Sequence, residues 1–379
     1  MDQLERDSNF ATDRRVNAAV VPLDIEVSGP SSLAQLRERW AKMDSIPKLL
    51  ASRNQGVDVS FGQFDVRRLL SGEESSGRYA FHSIILPPGA EIPAHSVDDA
   101  AAFWFVLSSE VEITIGSSVA KMGAKAFAFA PEQTSQAIVN RSASPAEVIV
   151  GHSPAGAERA FASAHRLAQT KPDSDAAAYW SIFTKHAFNF TGGKPLPNDT
   201  RTNATVARID SPIESLSDFE ALRARWSELS PTPKIVPFPH ECQSLFNVDL
   251  GLESWVVLTP EESGAKATIF SSGLMKGLGA PPHHQPTEDE VFILVDGQLN
   301  LSIGNMTEPA AQHGAFAFAP RCCTHGFRNE MDKDMLWFTM NAPGGHDRGL
   351  KLTMSLQDMP QEKRSPVMYA HGLAFHDPL

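Results

Sequence analysis

Apolar and polar residues alternate strictly in several short runs of the chain. Two of these runs, EVEITIG at residues 110–116 and QLNLSIG at residues 298–304, place every second side chain on one face, as in a strand with one buried side. The run AFAFAP, at residues 126–131 and again at 315–320, alternates small and aromatic residues and stops at proline. Short alternating runs between turn residues predict an antiparallel barrel or sandwich.

The chain contains this pattern twice, which indicates a tandem duplication. A segment with apolar residues at helical spacing precedes each set of strands and ends at a tryptophan, SSLAQLRERW at residues 31–40 and SLSDFEALRARW at residues 215–226. The segment TGGKPLPNDT, at residues 191–200, has the glycine and proline content of a linker. We therefore predict an N-terminal domain over residues 1–190 and a C-terminal domain over residues 191–379.

Composition limits the classes of binding partner and indicates the cellular compartment. The net charge of −12 argues against nucleic acid and against anionic membranes, because both reward clusters of Lys and Arg. Three cysteines do not make a disulfide framework and suit a reducing compartment. The first fifteen residues, MDQLERDSNFATDRR, lack the apolar core of a signal peptide, so we expect a cytoplasmic protein.

Two spaced motifs in the second copy carry a family resemblance. Glycine, histidine, glutamate and glycine recur at the spacing of the first cupin motif, and glycine, proline, histidine and asparagine at that of the second. These residues are Gly277, His283, Glu290 and Gly297, then Gly314, Pro320, His325 and Asn329. The chain therefore resembles a bicupin of the quercetin 2,3-dioxygenase-like group. The resemblance implies an all-β fold of two tandem jelly-roll barrels with short flanking helices.

The resemblance also implies one divalent transition metal, Fe, Mn, Ni, Cu or Zn, in the C-terminal domain, and imidazole and carboxylate donors suit these ions. The ligands would be His283, Glu290 and His325, and Gln285 stands where the family has a further histidine. Three arrangements are open: Gln285 ligates through its amide oxygen, a bulge turns His284 inward, or the metal keeps three protein ligands and an extra water. We favour the triad with Gln285 facing the metal.

Two further features bear on the metal. Cys322 and Cys323 precede His325 and could supply thiol ligands, but small buried hydrophobes are the simpler interpretation. The first copy keeps a histidine, His95, but has lost the other ligand types at the matching positions, which are Val97, Ala102 and Gln136. We expect the first copy to be metal-free and to retain an apolar pocket or serve as an interface.

Alternation places apolar side chains on the side of the strands that carries Glu290. We expect Phe292, Leu294, Phe318 and Trp337 to line a pocket for a flat organic substrate. The resemblance then implies a metal-dependent dioxygenase acting on an aromatic or polyketide-like phenol of secondary metabolism, with Glu290 as both ligand and base. The alternatives are a non-oxidative metal enzyme (isomerase, decarboxylase or cyclase) and a non-catalytic small-molecule-binding protein. The resemblance also favours a homodimer.

Overall fold

The computed structural model describes residues 13–23, 25, 27–190, 199–247, 250–356 and 359–375. Most of the predicted linker lies outside these residues, so the domain boundary at residue 190 stays a prediction. Among the described residues, no helix is both long and apolar enough to cross a membrane. Antiparallel strands make up most of the fold, and short helices flank them.

The first copy begins with a helix, continues through antiparallel strands and ends with two helices and a short strand. Helix α1 forms as predicted, because Leu33, Leu36 and Trp40 share one face and are all buried. In chain order the elements are α1 (Pro30–Trp40), β1 (Lys48–Leu50), β2 (Val57–Asp58), β3 (Asp65–Leu70), β4 (Ala80–Leu86), β5 (Glu91–Val97), β6 (Ala101–Ser108), β7 (Glu110–Ile115), β8 (Ser118–Gly123), β9 (Phe127–Ala130), β10 (Gln136–Val139), β11 (Ala146–Ser153), α2 (Ala157–Thr170), α3 (Ala176–Thr184) and β12 (Phe188–Phe190).

The second copy repeats this order and adds a helix of 4 residues between its third and fourth strands. Its first helix begins where the Ser215 side chain accepts a hydrogen bond from the Asp218 backbone N–H. Its elements are α4 (Leu216–Ser227), β13 (Lys234–Val236), β14 (Ser244–Asn247), β15 (Leu252–Leu258), α5 (Pro260–Ser263), β16 (Thr268–Leu274), β17 (Gly279–His284), β18 (Asp289–Asp296), β19 (Leu299–Ile303), β20 (Met306–Ala311), β21 (Phe316–Ala319), β22 (His325–Arg328), β23 (Met335–Ala342), α6 (His346–Ser355), α7 (Gln361–Ala370) and β24 (Ala374–Phe375).

Each copy is a jelly-roll barrel made of two sheets. In the second copy, the larger sheet has the strand order β1-β21-β18-β23-β16-β15-β14 and the smaller one β20-β19-β22-β17-β24. In the first copy, the corresponding orders are β13-β9-β6-β11-β4-β3-β2 and β12-β5-β10-β7-β8. The predicted fold class, two tandem all-β barrels with short flanking helices, is confirmed.

The two barrels exchange a strand, and the repeated AFAFAP run is where they do so. Strand β1 of the first copy pairs antiparallel with β21, matching Lys48 with Phe318, and β13 of the second copy pairs in the same way with β9, matching Lys234 with Phe129. The strand from the other copy thus covers an edge that would otherwise offer unpaired backbone groups.

The phenylalanines of these runs form part of one apolar core shared by the two barrels. It contains Phe127 and Phe129 from β9 and Phe316 and Phe318 from β21, all completely buried. The alanines between them face the inside of their own barrel. Aromatic residues on one side and small residues on the other are what a strand needs when it lies between an inter-barrel core and a barrel interior.

Candidate metal centre

Three strands bring together the three predicted ligands of the second copy. His283 lies at the end of β17, Glu290 at the start of β18 and His325 at the start of β22, where it is the register partner of His283. One ligand atom from each residue lies within 4.8 Å of the others, and all three side chains are buried. Among the described residues this is the only such cluster of three histidine, cysteine or carboxylate groups.

Backbone carbonyls fix both imidazole rings. The Nδ1 atom of His283 lies 2.8 Å from the carbonyl oxygen of Pro281, and that of His325 lies 2.9 Å from the carbonyl oxygen of Cys323. A carbonyl only accepts, so Nδ1 carries a proton in each ring and Nε2 is the nitrogen that can ligate a metal. Such a contact on the far nitrogen orients a ligating histidine.

The Glu290 carboxylate completes a set of donors that fits a cation. Its Oε2 atom lies 2.8 Å from His325 Nε2. Both atoms have lone pairs that would repel each other at that distance, so a proton must lie between them or a metal ion must bind both. Burial opposes ionisation of Glu290, but the hydrogen bond to His325 and the nearby histidines outweigh it and hold its pKa at about 2. Burial, followed by the charge of His325, lowers the pKa of His283 to about 3. The carboxylate is therefore ionised and the His283 imidazole neutral near pH 7, as a divalent transition metal requires.

A second observation supports this fit. Asn341 on β23 is the register partner of Glu290 and is fully buried. Neither polar atom of its side-chain amide has a hydrogen-bond partner in the described part of the chain. A buried amide without partners is rare, and one next to a ligand carboxylate indicates that a metal-bound water or a substrate group belongs there.

Gln285 and His284 take different positions. The side-chain Nε2 of Gln285 donates to Glu290 Oε2 at 2.7 Å, so its amide lies at the triad as a hydrogen-bond donor. His284 pairs in register with Ala374 of β24 and is buried, but it does not line the cavity beside the triad. The register between β17 and β22 shifts between Ala280 and His283, ahead of both residues. Of the three arrangements, this geometry matches three protein ligands with Gln285 bonded to one of them, and which side chain faces a bound metal stays a prediction.

The two cysteines ahead of His325 have structural surroundings. Cys322 has φ +61°, a left-handed conformation that explains why the cupin motif has glycine at this position. Cys323 is buried in the apolar core of the barrel, and burial raises the pKa of its thiol to about 12. Neither belongs to the triad cluster, and a protonated thiol is a poor metal ligand.

A cavity of ≈ 40 Å³, measured as the space open to the centres of water-sized spheres, lies beside His283 and Glu290. The ring of Phe375 stacks on His283 at 5.1 Å, and Trp337 donates from Nε1 to Thr339 Oγ1 at 2.6 Å. The rest of the wall is part apolar and part hydroxyl-bearing. It consists of Leu250, Leu252, Ser254, Phe270, Ser272, Ala280, Phe327, His346, Leu350, Thr353 and Leu373.

The four predicted pocket residues have different positions. Trp337 lines the cavity. Phe292 lies against the His325 ring at 5.6 Å, and Leu294 belongs to the apolar core of the same barrel. The prediction for Phe318 is wrong: it is the register partner of Val291, and both point into the core between the barrels. Its neighbour Ala319 pairs with Glu290, so the alanines of β21 face the metal side.

A buried ion-pair network that the motifs did not indicate adjoins the triad. His346, at the start of α6, lines the same cavity, and its Nδ1 atom lies 3.1 Å from Glu288 Oε2. The other oxygen of Glu288 accepts from Arg223 on α4, and both side chains are almost completely buried. Burial opposes a charge on His346, but the hydrogen bond to Glu288 and the surrounding carboxylates raise its pKa. Comparing the copies could have found the pair, because the first copy has Ala100 and Ala157 at the matching positions.

In the first copy, the described residues contain no such cluster. His95 keeps the ring contact of its counterpart, with Nδ1 2.8 Å from the carbonyl oxygen of Pro93. Gln136 is its register partner, and its amide oxygen accepts from Trp104 Nε1 at 2.7 Å. Ala102 and Val97 offer no donor. That this copy binds no metal stays a prediction.

Comparisons with known proteins agree with the two barrels. A sequence model described as "Cupin domain" matches residues 82–152 and again residues 272–341. No curated protein sequence is significantly similar to the chain.

The chain also matches solved structures that are distant in sequence. A variant of oxalate decarboxylase from Bacillus subtilis is 12% identical, with a TM-score of 0.49 over 95% of this chain and 97% of that one. AerE from Microcystis aeruginosa is 13% identical, with a TM-score of 0.44 over 79% and 97%. Protein Ylba from E. coli is 11% identical, with a TM-score of 0.49 over 81% and 97%. A cupin domain is matched in each copy, and each match lies in one of the two jelly-roll barrels, so the chain contains two tandem cupin domains.

Proposed function

We propose that the chain is a metal-dependent oxidoreductase of dioxygenase type that acts on a small phenolic molecule in the C-terminal cupin. The observation that carries the proposal is the buried set of two imidazoles and one carboxylate, which leaves positions open for other ligands. This donor set is typical of non-haem Fe(II) oxygenases, so Fe(II) is the metal we expect first among the five candidates. A metal held by His283, Glu290 and His325 would supply a Lewis acid for the substrate oxygen and a redox partner for dioxygen.

The size and walls of the cavity indicate the kind of substrate. Its ≈ 40 Å³ of space for the centres of water-sized spheres holds about three water molecules, so a substrate with one ring is a better match than a flavonoid with three. Phe375 and Trp337 offer aromatic faces, and the paired hydroxyls of Ser254 and Ser272, 2.9 Å apart, offer a polar edge. A phenol whose oxygen points toward the triad would have its ring against these aromatic side chains.

His346 is the residue best placed to move a proton. Its Nδ1 atom is hydrogen-bonded to Glu288, so Nε2 is the ring nitrogen that remains available to a molecule in the cavity. A carboxylate that orients an imidazole whose other nitrogen faces the substrate is a recurring acid–base arrangement. We infer that Nε2 of His346 takes up or returns the phenolic proton, sharing with Glu290 the role that the family resemblance gave to the glutamate alone.

The His346–Glu288 pair also favours the second candidate, a non-oxidative metal enzyme. An isomerase, decarboxylase or cyclase needs a metal-polarised oxygen and a proton carrier but no dioxygen. The two candidates therefore differ in a single measurable quantity, the dioxygen consumed per turnover.

The test combines metal analysis with oxygen uptake. We expect about one metal ion per purified chain, loss of that metal in His325→Ala, and oxygen uptake with Fe(II)-loaded protein and a panel of one-ring phenols and enols. Turnover without oxygen uptake would reject the dioxygenase and leave the non-oxidative enzyme. Metal without turnover of any panel member would favour the non-catalytic binding protein, and a chain that takes up no metal would overturn both enzyme proposals. Sedimentation of the same sample tests the expected homodimer.

A further inference from the structure

We propose that the first copy binds a small neutral hydroxylated aromatic molecule, of the phenol class, in a cavity that occupies the position of the metal centre. The cavity is bordered by His95, the counterpart of the ligand His283, and by His152, the counterpart of Asn341. It therefore occupies the same place in its barrel as the metal cavity does in the other. This site is independent of the metal and of the reaction proposed above.

The wall of this cavity differs systematically from that of the metal cavity. Three hydroxyl-bearing residues of the second copy, Ser254, Ser272 and Thr339, correspond by strand register to Val66, Ile84 and Val150. Among the described residues that line the cavity, only the two histidines can carry a formal charge. A charged ligand would lose its hydration there without a partner, so the occupant must be neutral.

Two buried histidines supply the polar contacts. His95 is 2% exposed and uses Nδ1 on a backbone carbonyl, so Nε2 remains as an acceptor. His152 is 3% exposed, and its Nδ1 atom has no hydrogen-bond partner in the described part of the chain. A buried nitrogen of this kind is normally paired, and a ligand hydroxyl would pair it.

Both rings are neutral at physiological pH. Burial lowers the pKa of His95 to about 4, and burial together with the neighbouring His95 lowers that of His152 to about 3. Neutral imidazoles accept a hydrogen bond from a hydroxyl but give no counter-charge to a carboxylate. The cavity should therefore bind phenol in preference to benzoate.

Aromatic side chains surround the histidines. The Phe188 ring lies 5.7 Å from the His95 ring and 5.8 Å from the His152 ring, and Phe190 lies 5.2 Å from His95. Half-buried Trp180 packs on Phe190 at 5.3 Å at the outer wall. Faces and edges of rings around a flat space are the surroundings that an aromatic ligand prefers.

The available space indicates how the ligand enters. The empty space is ≈ 420 Å³ when the open mouth is included, but the centres of water-sized spheres reach only ≈ 20 Å³ of it. The latter volume holds about one water molecule. A ring therefore enters only when a wall side chain rotates, and the half-buried aromatic side chains Trp180 and Phe190 are the ones placed to do so.

The experiment is calorimetric titration of the metal-loaded full-length chain with phenol, toluene and benzoate, with melting temperature as a second readout. Val150→Phe fills the cavity, and the matched variant Thr339→Phe fills the counterpart cavity of the second copy. Because the metal cavity is itself proposed to take phenols, Thr339→Phe serves as the background: we expect phenol to bind and to raise the melting temperature of Thr339→Phe but not of the double variant Val150→Phe/Thr339→Phe. In the same background, His95→Leu removes one acceptor and should weaken phenol binding by about tenfold, and toluene should bind Thr339→Phe about tenfold more weakly than phenol.

Several results would overturn the proposal. Phenol binding that is absent from Thr339→Phe, or that survives both Val150→Phe and His95→Leu in the Thr339→Phe background, would assign the ligand to another site. Benzoate binding as tightly as phenol, in a manner sensitive to Val150→Phe, would contradict the neutral chemistry. If Val150→Phe does not fold, His95→Leu and the comparison of phenol with toluene decide the question, because both use a native cavity.

Discussion

Replacing Glu288 by alanine should destabilise the protein by roughly 3 kcal/mol, because it leaves a buried arginine without its principal counter-charge. The Arg223 side chain is 4% exposed and that of Glu288 is completely buried. Removing one partner of such a pair typically costs about 3–5 kcal/mol. The remaining partners of Arg223 are the half-exposed Glu220 at 2.7 Å, the Thr287 hydroxyl at 2.7 Å and the Gly344 carbonyl at 3.0 Å, so we expect the lower end of this range.

The first copy supplies a matched control. Arg37 on α1 corresponds to Arg223, and its Nε atom donates to the Ala155 carbonyl at 2.6 Å, as Arg223 donates to Gly344. Its carboxylate partner is Asp99, 2.6 Å away and 34% exposed. Because water solvates either charge once the other is removed, Asp99→Ala should cost at most about 1 kcal/mol.

Urea unfolding of the metal-free protein, followed by tryptophan fluorescence and by circular dichroism, measures both free energies of unfolding. The double variant Arg223→Met/Glu288→Leu should recover most of the loss, because it removes the uncompensated charge and fills the space. Equal losses for Glu288→Ala and Asp99→Ala, or no recovery in the double variant, would refute the reasoning that burial of Arg223 determines the cost.

Three further predictions concern the sites themselves. His283→Ala should abolish metal loading without unfolding the chain, whereas the matched change His95→Ala should leave about one metal per chain by elemental analysis; two metals in wild type would contradict this. Gln285→His should tighten metal binding by about tenfold in a competition assay, since an imidazole is a better donor than an amide, but should not raise turnover, because it fills a position that the substrate needs and removes the hydrogen bond to Glu290. Because the pKa of His152 is lowered from 6.5 to about 3, the unfolded chain binds more protons between these values and stability falls as the pH decreases through this window. In His152→Leu, the slope of unfolding free energy against pH should be smaller by up to about 1.4 kcal/mol per pH unit there, and an unchanged slope would show that His152 is not buried as a neutral ring.

The sequence was sufficient for the frame and for the triad, because both depend on local spacing. Alternation located the strands. The spacing of His283, Glu290 and His325 along the chain identified the motif that predicts the triad. The exchange of β1 and β13 between the barrels was not predictable, since a three-residue strand carries no signal for the distant edge it joins. This is a non-local pairing that only the complete fold determines.

The error on Phe318 has the same origin. Alternation correctly placed Phe316 and Phe318 on one face of β21, but it cannot tell which of two buried faces is which. A strand between a barrel interior and a second barrel is apolar on both sides. Here the smaller residue faces inward because Glu290 and its neighbours need the space, and the larger one packs between the barrels.

The two copies form an internal comparison that links the ion-pair network to the metal. From the second copy to the first, Glu290 becomes Ala102 and His325 becomes Gln136, and at the same time Glu288 becomes Ala100 and His346 becomes Ala157. The arginine that holds Glu288 is retained as Arg37, with the same carbonyl contact, so the network is not needed to build the barrel. A pair required only for stability would have no reason to disappear together with the ligands. His346 and Glu288 occur only in the copy that has the triad, as their proposed role in the metal cavity requires, and aromatic side chains line the corresponding space of the first copy.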